Sequence, residues 1–414
     1  MVGLSFRIAA VKGLRKKKMK RNRRKLSKPD SKHVAVVIPE LPVDVLMQIL
    51  ARLPANLLMR FKCVSKLWSS MISSPYFANL FRKTPSLLRQ RRLYLVDQDA
   101  QGNYTLCSTL SDKYPSKVYR FDHVTIPGMG GHVTIQGMGG GCFVNALRGL
   151  MCSRIGTRVR ICNLTTKQQV ELPLVVSSIT GDDSSMWNHF GYDSIQEEYK
   201  VISLTWEMTQ ERVVRSDHHV LVLGPGASWR RITQSFPPHR PYSQGISIDR
   251  HLYYGAWTGD NTCVVVSFDM RSETFNLIKL PVEAGIVWDT RATNLMNYRG
   301  KLAVFDYSCL ERQDRMDLWV FEDDSQCWTK KTFALPISNL YIVSVGDLFV
   351  QGTSREGMIR CFIQNDAVVS QNMIYDLEAG NFIEGFLSVI LPRRPSLPTS
   401  YFWDDFESIM YLEA

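Results

Sequence analysis

The sequence predicts a multidomain α+β fold, in which a small helical module is followed by a large all-β, propeller-like domain. Apolar residues recur at helical spacing within residues 36–82, and short β-rich runs separated by turn residues fill residues 83–392. Within the β region a pattern of polar turn, strand and Leu-Pro repeats. The chain of 414 residues is long enough for two or three domains of about 150 residues each. Residues 393–414 are expected to form a C-terminal tail.

The N-terminal segment, residues 1–35, is predicted to be a disordered basic tail. Its first 33 residues hold 13 Lys and Arg against one acidic residue, whereas the other 381 residues have a net charge of −1. Most of the positive charge lies in one run, made of Arg15, Lys16, Lys17, Lys18, Lys20, Arg21, Arg23, Arg24 and Lys25. Such a run repels itself and has no apolar material to bury. We interpret it as a nuclear import signal, with a transit peptide or an inert solvated tail as the alternatives.

Composition and charge argue against several classes of function. Because the positive charge is confined to the tail, the folded part is expected to lack a basic face, and we expect no nucleic-acid partner. The longest aliphatic run, residues 34–38, is far shorter than the roughly 20 residues of a membrane helix, so no membrane association is expected. The nine cysteines are scattered and include no CxxC pair, which favours free thiols in a reducing, intracellular compartment.

The helical module is predicted from helix start and stop signals around an apolar stripe. Pro42 suits the first position of a helix, and Pro54 ends that helix. The residues between them that recur at helical period are Val45, Leu46, Ile49, Leu50 and Leu53. Asn56 and Ser65 are predicted to cap a second and a third helix, and Ser74 with the following proline to close the third. Three short helices in about 40 residues bury little surface, so the rest of the chain or another protein is expected to cover part of it.

The same residues resemble the F-box motif in its plant form. Residues 41–44 (Leu-Pro-x-Asp), 49–54 (Ile-Leu-x-Arg-Leu-Pro), 60–68 and 72–77 match that motif in order and spacing. The resemblance implies docking onto the Skp-type adaptor of a cullin–RING ubiquitin ligase. By motif position it implies the following adaptor contacts: Leu41, Pro42, Leu46, Ile49, Leu50, Leu53, Pro54, Val64, Lys66 and Trp68. An apolar stripe is more often core than contact surface, so Leu50, Phe61 and Trp68 are also candidates for the module's own core.

The β region contains an internal repeat. Eleven short β-rich runs between residues 93 and 377 predict antiparallel strands. A polar turn, a strand and Leu-Pro recur at residues 163–173, 269–281 and 323–336, with a Phe-Pro relative at residues 224–237. Four-stranded propeller blades repeat at roughly 40–50 residues. The spacing of the sequence repeat therefore favours an irregular propeller, and a β-sandwich array is the alternative.

The β region also resembles the F-box-associated domain that follows F-boxes in plant proteins. The matching fragments are residues 148–152, 161–166, 190–193, 198–201, 228–230, 268–273, 297–302, 318–320 and the closing Phe-Glu-Ser-Ile at 406–409. The role implied by the resemblance is capture of a target protein. The sequence and the resemblance together predict a substrate-recognition subunit of an SCF-type E3 ubiquitin ligase, located in the nucleus, the cytoplasm or both. Its expected partners are the Skp-type adaptor, through it the cullin–RING ligase, and a target protein.

Motifs that indicate catalysis are absent from the sequence. There is no HExxH, GxSxG, Walker or Rossmann pattern, so we expect no enzyme activity, cofactor or metal site. His218 and His219 are adjacent in a predicted strand and therefore point to opposite faces, which argues against a shared metal. The alternative function is a ligand-binding propeller or a propeller enzyme whose helical segment is structural only.

Overall fold

The structure is a computed structural model. It describes residues 41–86, 92–98, 104–110, 122–123, 134–135, 142–166, 168–179, 185–210, 212–281, 293–310, 315–334, 347–353, 359–364, 369–390, 400–404 and 407–412. The helices in these residues are α1 (Val43–Leu50), α2 (Ala55–Phe61), α3 (Lys66–Ile72) and α4 (Pro75–Lys83). They are followed by antiparallel sheets, which confirms the predicted fold class.

The helix boundaries confirm one predicted cap and correct two other expectations. The Ser65 hydroxyl accepts a hydrogen bond from the Trp68 backbone N–H at 3.2 Å and so caps α3, as predicted. Ser74 caps a fourth helix, whose first residue is Pro75, so this pair ends one helix and begins the next. The prediction that Asn56 caps α2 was wrong, because Pro54 occupies the cap position, with an extended ψ of 146°, and offers no side-chain acceptor.

The helical module, defined as α1–α4, has its own apolar core. The buried members of that core are Leu50, Ala51, Ala55, Leu58, Ile72, Phe77 and Phe81, joined by Ile409 from the far end of the chain. Phe61 and Trp68 pack edge to face at its border, with ring centroids 5.4 Å apart. One of the two covers expected from the sequence, the rest of the chain, is therefore present in the form of Ile409, and the other, another protein, stays a prediction.

The strands of the described residues form six sheets, numbered here in chain order. Sheet 1 holds β1 (Arg92–Gln98), β2 (Tyr104–Leu110), β3 (Asp122–His123), β4 (Thr134–Ile135) and the last strand, β26 (Ser400–Asp404). Sheet 2 holds β5 (Cys142–Leu147), β6 (Leu150–Ile155), β7 (Arg158–Asn163) and β8 (Gln169–Glu171). Sheet 3 holds β9 (Met186–Asp193), β10 (Glu198–Thr209), β11 (Arg212–Val222) and β12 (Arg230–Arg231).

The second half of the β domain repeats this arrangement. Sheet 4 holds β13 (His239–Pro241), β14 (Ile246–Ile248), β15 (His251–Thr258), β16 (Cys263–Asp269) and β17 (Thr274–Lys279). Sheet 5 holds β18 (Thr293–Tyr298), β19 (Lys301–Asp306), β20 (Arg315–Glu322) and β21 (Cys327–Ala334). Sheet 6 holds β22 (Asp347–Thr353), β23 (Ile359–Gln364), β24 (Val369–Asp376) and β25 (Asn381–Ile390). The predicted strand run at residues 340–345 lies outside the described residues.

The apolar core of the β domain lies between consecutive sheets. Phe190 and Tyr199 of sheet 3 pack with Ile161 of sheet 2. Tyr254 and Phe268 of sheet 4 belong to a cluster shared with sheet 3. Further clusters join sheet 4 to sheet 5 and sheet 5 to sheet 6. Sheets 3, 4 and 5 therefore each pack against two neighbouring sheets, in the manner of propeller blades.

Two polar turns of the sequence repeat, at Asn163 and Asp269, are side-chain-capped turns. In the sheet 4 hairpin, Asp269 Oδ1 accepts hydrogen bonds from the backbone N–H groups of Arg271 at 2.8 Å and Ser272 at 3.3 Å. Glu273 then takes the left-handed conformation, with φ of 57°. The same bonding pattern begins at the acceptors Asn163, Asp193 and Asp376. One kind of side-chain-capped hairpin turn therefore recurs in several sheets, both within the sequence repeat and outside it.

The two tryptophans of the repeat connect neighbouring sheets. The Trp229 indole N–H donates to the backbone carbonyl of Pro173 at 2.6 Å, which joins sheet 3 to the end of the preceding repeat. The Trp328 indole N–H donates to the carbonyl of Lys279 at 2.7 Å, which joins sheet 5 to sheet 4 in the same way. Both rings also pack on the clusters between sheets. The Leu-Pro ends of the repeats thus supply acceptors for the sheet that follows.

The end of the chain returns to the start of the β domain. β26 pairs antiparallel with β1, with Tyr94 opposite Phe402, so sheet 1 is built from both ends of this domain. Residues 407–412 then pass along sheet 2 to the helical module. Residues expected to form a C-terminal tail are therefore part of the packed structure.

Candidate adaptor-binding surface

The predicted adaptor contacts fall into three groups by exposure. Leu41, Ile49 and Val64 are exposed at 58%, 46% and 41% of their surface, an unusual position for large apolar side chains. Pro42 and Lys66 are also exposed. The partly buried members are Leu46, Leu53, Pro54 and Trp68. Most of the predicted contacts thus keep surface that a partner can reach.

Leu50 is the exception. Its side chain is 2% exposed and belongs to the core of the helical module, together with Leu58 and Phe77. A residue without accessible surface cannot touch an adaptor directly. The structure therefore assigns Leu50 to the core, and the prediction of a direct contact is corrected.

Four further large apolar residues of the module are exposed and were missing from the predicted contacts. They are Val43, Val45, Leu67 and Tyr76. Val45 and Ile49 are four residues apart in α1 and so share one face of that helix. The sequence signal was the width of the α1 stripe, which is broader than one core face can cover. Helical period alone does not say which half of such a stripe faces outward.

Charged residues join α4 to the hairpin between β9 and β10. The carboxylate of Glu197 accepts from Arg82 at 2.6 Å and from Lys83 at 2.9 Å. The hydrogen bond from Lys83 and the charge of Arg82 hold the pKa of Glu197 below its ordinary value. The Arg82 and Arg148 guanidinium groups lie 5.5 and 4.3 Å from the centre of the Tyr192 ring. The module is thus attached to sheets 2 and 3 at the end where these hairpins turn.

A cleft of about 620 Å³ separates the helical module from sheets 2 and 3. Its walls include Lys62 and Phe81 from the helices, Tyr199 from β10, and Ile409 and Tyr411 from the end of the chain. The charged groups Arg82, Arg148, Glu197 and Glu407 lie in the same walls. The cleft shows that α4 and the chain end form the junction, while Val45 and Ile49 of α1 are absent from its walls.

Two further predictions concern the basic run near the N-terminus and membrane-spanning helices. The basic run from Arg15 to Lys25 lies outside the described residues. Among the helices of the described portion, none combines the length and the apolar character needed to cross a bilayer.

Comparison with known protein families finds two matches along the chain. A family model described as "F-box domain" matches residues 38–80, and one described as "F-box associated beta propeller domain" matches residues 94–381. The first match contains most of the helical module, and the second contains most of the six sheets. The associated domain therefore lies on the C-terminal side of the F-box.

Similar proteins of Arabidopsis thaliana have the term F-box in their names. One F-box protein is 48% identical over 394 residues, which cover 91% of this chain and 94% of the relative. A second F-box protein is 38% identical over 339 residues, covering 78% of this chain and 85% of the relative. An F-box/kelch-repeat protein is 33% identical over 414 residues, covering 91% of each.

Proposed function

This chain belongs to the family of F-box proteins with an F-box-associated beta propeller domain, and on this premise we propose that it is the substrate-recognition subunit of an SCF-type (cullin–RING) E3 ubiquitin ligase. The helical module binds the Skp-type adaptor, and the β domain binds a target protein. The observation that carries the proposal is the set of apolar side chains that the module leaves exposed, above all Val45 and Ile49 on one face of α1. Exposed apolar residues grouped on a helix face favour a protein interface.

In this proposal the chain contributes binding and placement rather than bond chemistry. Holding a target beside the ubiquitin-loaded partner converts an encounter in solution into a reaction within one assembly, which raises the effective concentration of the target's lysines. The junction supports this role, because the helical module is attached to sheets 2 and 3 through Arg82, Lys83 and Glu197. A fixed junction keeps the bound target at a defined distance from the ligase.

We place target capture at the end of the sheets away from the helical module. Hairpin turns alternate between the two ends of an antiparallel sheet. The turn from β9 to β10 meets α4, so the turn from β10 to β11 lies at the opposite end. That second hairpin exposes Met208 and Val214, apolar residues that the described core does not cover. We propose this end as the contact surface for the target.

Adaptor binding is tested with two matched variants of the full chain. Ile49→Asp places a charge in the proposed interface, and we expect it to abolish co-purification with a recombinant Skp-type adaptor, because an unpaired carboxylate is costly to desolvate. Leu174→Asp is the control, since Leu174 is an apolar side chain of similar exposure, 55% against 46% for Ile49, and lies in the β domain outside the helical module. Reconstituted ubiquitination of proteins captured by the wild-type chain should be lost only in Ile49→Asp. If both variants bind the adaptor like the wild type, the alternative gains support, namely a ligand-binding propeller or propeller enzyme with a structural helical segment.

We further propose that the basic run from Arg15 to Lys25 directs the protein to the nucleus. Clusters of Lys and Arg serve as nuclear import signals. In plant cells, a fluorescent fusion of the full chain should accumulate in the nucleus, and replacing Lys16, Lys17 and Lys18 with alanine should shift it to the cytoplasm. An unchanged distribution would reject the proposal, and signal in an organelle would favour the transit-peptide alternative.

A further inference from the structure

The last described residues, 407–412, form a strap between the helical module and sheet 2. We propose that this strap is an internal ligand that the helical module requires for adaptor binding, and this inference rests on the function proposed above. The strap lies more than three hundred residues from α2 in sequence, and its Glu407 is bonded to the first residue of that helix. Its contacts fall into two sets, one with the helices and one with the sheet.

The first set completes the helical module. Glu407 Oε2 accepts a hydrogen bond from the Ala55 backbone N–H at 2.7 Å. Ala55 opens α2, whose cap position holds Pro54 and makes no side-chain capping bond of its own. The Glu407 carboxylate therefore satisfies a helix N–H and places negative charge at the positive end of the helix. Two residues further along, Ile409 is 7% exposed and belongs to the same packed cluster as Leu50 and Leu58.

The second set holds the strap on sheet 2. The Ser408 backbone N–H donates to Thr165 Oγ1 at 3.2 Å, and the Asn163 side chain donates to the Met410 carbonyl at 2.9 Å. Gln168 bonds both backbone groups of Leu412, donating to its carbonyl at 2.5 Å and accepting from its N–H at 2.8 Å. Leu412 itself is 3% exposed in the core between sheets 2 and 3.

The surroundings of Gly149 show how closely the strap approaches sheet 2. Gly149, in the turn between β5 and β6, has φ of +83°. A Cβ atom built on it would lie 2.7 Å from both the Cβ and the backbone nitrogen of Ser408. Backbone approach at this distance requires glycine. The strap thus lies in a fitted groove rather than loosely on the surface.

The consequence concerns adaptor binding. A module of short helices buries little apolar surface by itself, so an additional core side chain and a helix cap both add to what holds it together. Leu50 of α1 packs in the cluster that Ile409 joins, while Ile49, its neighbour in the chain, is in the proposed adaptor surface. Loss of the strap should therefore loosen α1 and α2 and weaken adaptor binding, although no strap residue belongs to the proposed contact surface.

The test uses full-length variants and two measurements. Adaptor affinity is measured by surface plasmon resonance with the recombinant Skp-type adaptor, and local opening by hydrogen exchange. Ile409→Asp should weaken binding by at least about tenfold, because it puts a carboxylate in an apolar core. Glu407→Gln should weaken it less, by about fivefold, because it removes only the charge at the helix end. Tyr411→Asp is the matched control: it lies in the same strap, is 62% exposed and should bind like the wild type.

Hydrogen exchange separates the possible outcomes. In Ile409→Asp we expect faster exchange in α1 and α2 and unchanged exchange in β15 and β16 of sheet 4. Wild-type affinity and wild-type helix protection in both Ile409→Asp and Glu407→Gln would overturn the inference. If Ile409→Asp also opens sheet 4, its damage is general and Glu407→Gln alone decides. Weaker adaptor binding with faster helix exchange in Glu407→Gln then supports the inference, and wild-type values of both overturn it. Failure of the wild-type chain to bind the adaptor would reject the proposed function instead, while helix exchange would still report on the strap.

Discussion

Lowering the pH from 7 to 5 is expected to reduce the free energy of unfolding by about 6 kcal/mol, because three buried histidines must stay neutral in the folded chain. Burial lowers the pKa of His189 to about 3, and the neighbouring His239 adds to the effect. Burial and His239 lower the pKa of His218 to about 3, against a smaller opposing effect of Asp217. Burial lowers the pKa of His239 to about 4, although the Pro237 carbonyl raises it slightly.

The packing explains why these rings resist protonation. His218 stacks on His239 with ring centroids 4.9 Å apart, and His189 stacks on Tyr254 at 4.1 Å. His239 has polar neighbours at both ring nitrogens, the Pro237 carbonyl and the Tyr254 hydroxyl. Both nitrogens of His189 and Nε2 of His218 are buried without a hydrogen-bond partner in the described structure. A proton added to any of these rings would place positive charge inside an aromatic cluster between sheets 3 and 4.

The direction of the pH effect follows from where the histidines take up protons in the unfolded and in the folded chain. In the unfolded chain a histidine takes up a proton near pH 6.5, whereas the folded chain binds it only near pH 3 to 4. The contribution of these histidines to the free energy of unfolding is therefore fully present above pH 6.5 and is lost as the pH drops from there toward 4. Each histidine contributes about 2 kcal/mol of the loss at pH 5.

Urea denaturation followed by tryptophan fluorescence at pH 7 and pH 5 measures this loss. His218→Phe keeps an aromatic ring beside His239 and Phe275 and should remove about one third of the pH dependence. His251→Phe is the control, because His251 is only partly buried and lies outside the cluster; it should leave the loss intact. Equal stability of the wild-type chain at both pH values would contradict the buried-histidine explanation.

Replacing Glu273 with glutamine is expected to destabilise the chain by about 3 kcal/mol, because it leaves a buried ammonium group without its counter-charge. The Lys200 side chain is 3% exposed, and its Nζ donates to Glu273 Oε1 at 3.0 Å and to the Met270 carbonyl at 2.5 Å. Arg230 binds the same carboxylate with both terminal nitrogens, at 2.9 and 2.8 Å. Burial alone would raise the pKa of Glu273, but the hydrogen bonds from Arg230 and Lys200 hold it below the ordinary value.

A double variant separates the charge effect from general damage. Lys200→Met replaces the ammonium with an apolar group of similar length, so Lys200→Met combined with Glu273→Gln should be more stable than Glu273→Gln alone. Urea denaturation of the wild type, both single variants and the double variant gives the coupling energy. Additive losses in the double variant would show that Lys200 and Glu273 do not act as a pair.

Local sequence patterns predicted the helices and turns of this protein better than the contacts between them. Ser65 was identified as a helix cap because the backbone N–H that donates to it, that of Trp68, lies three residues away, and the polar turn at Asp269 was visible because its donors also lie within three residues. The fourth helix was missed because Ser74 and Pro75 are both a stop and a start signal. Asn56 was chosen as a cap from residue type alone, while the group that bonds the start of α2 comes from Glu407.

Contacts between residues that are distant in sequence were not predicted. Lys200 and Glu273 both lie in fragments that resemble the F-box-associated domain, yet nothing in either fragment pointed to their ion pair. The tryptophans of the repeat were visible as a regularity, but their acceptors in the preceding sheet were not. The α1 stripe did not distinguish the buried Leu50 from the exposed Ile49.

The amino-acid sequence by itself determined the order of the two domains, their secondary-structure class and the family, because periodicity, turn chemistry and motif spacing act over a few residues. Only the tertiary structure decided which apolar residues of the helical module remain outside and that the chain's own end completes its core. Those outcomes depend on which surfaces meet, and Ala55 and Glu407 meet although 352 positions separate them.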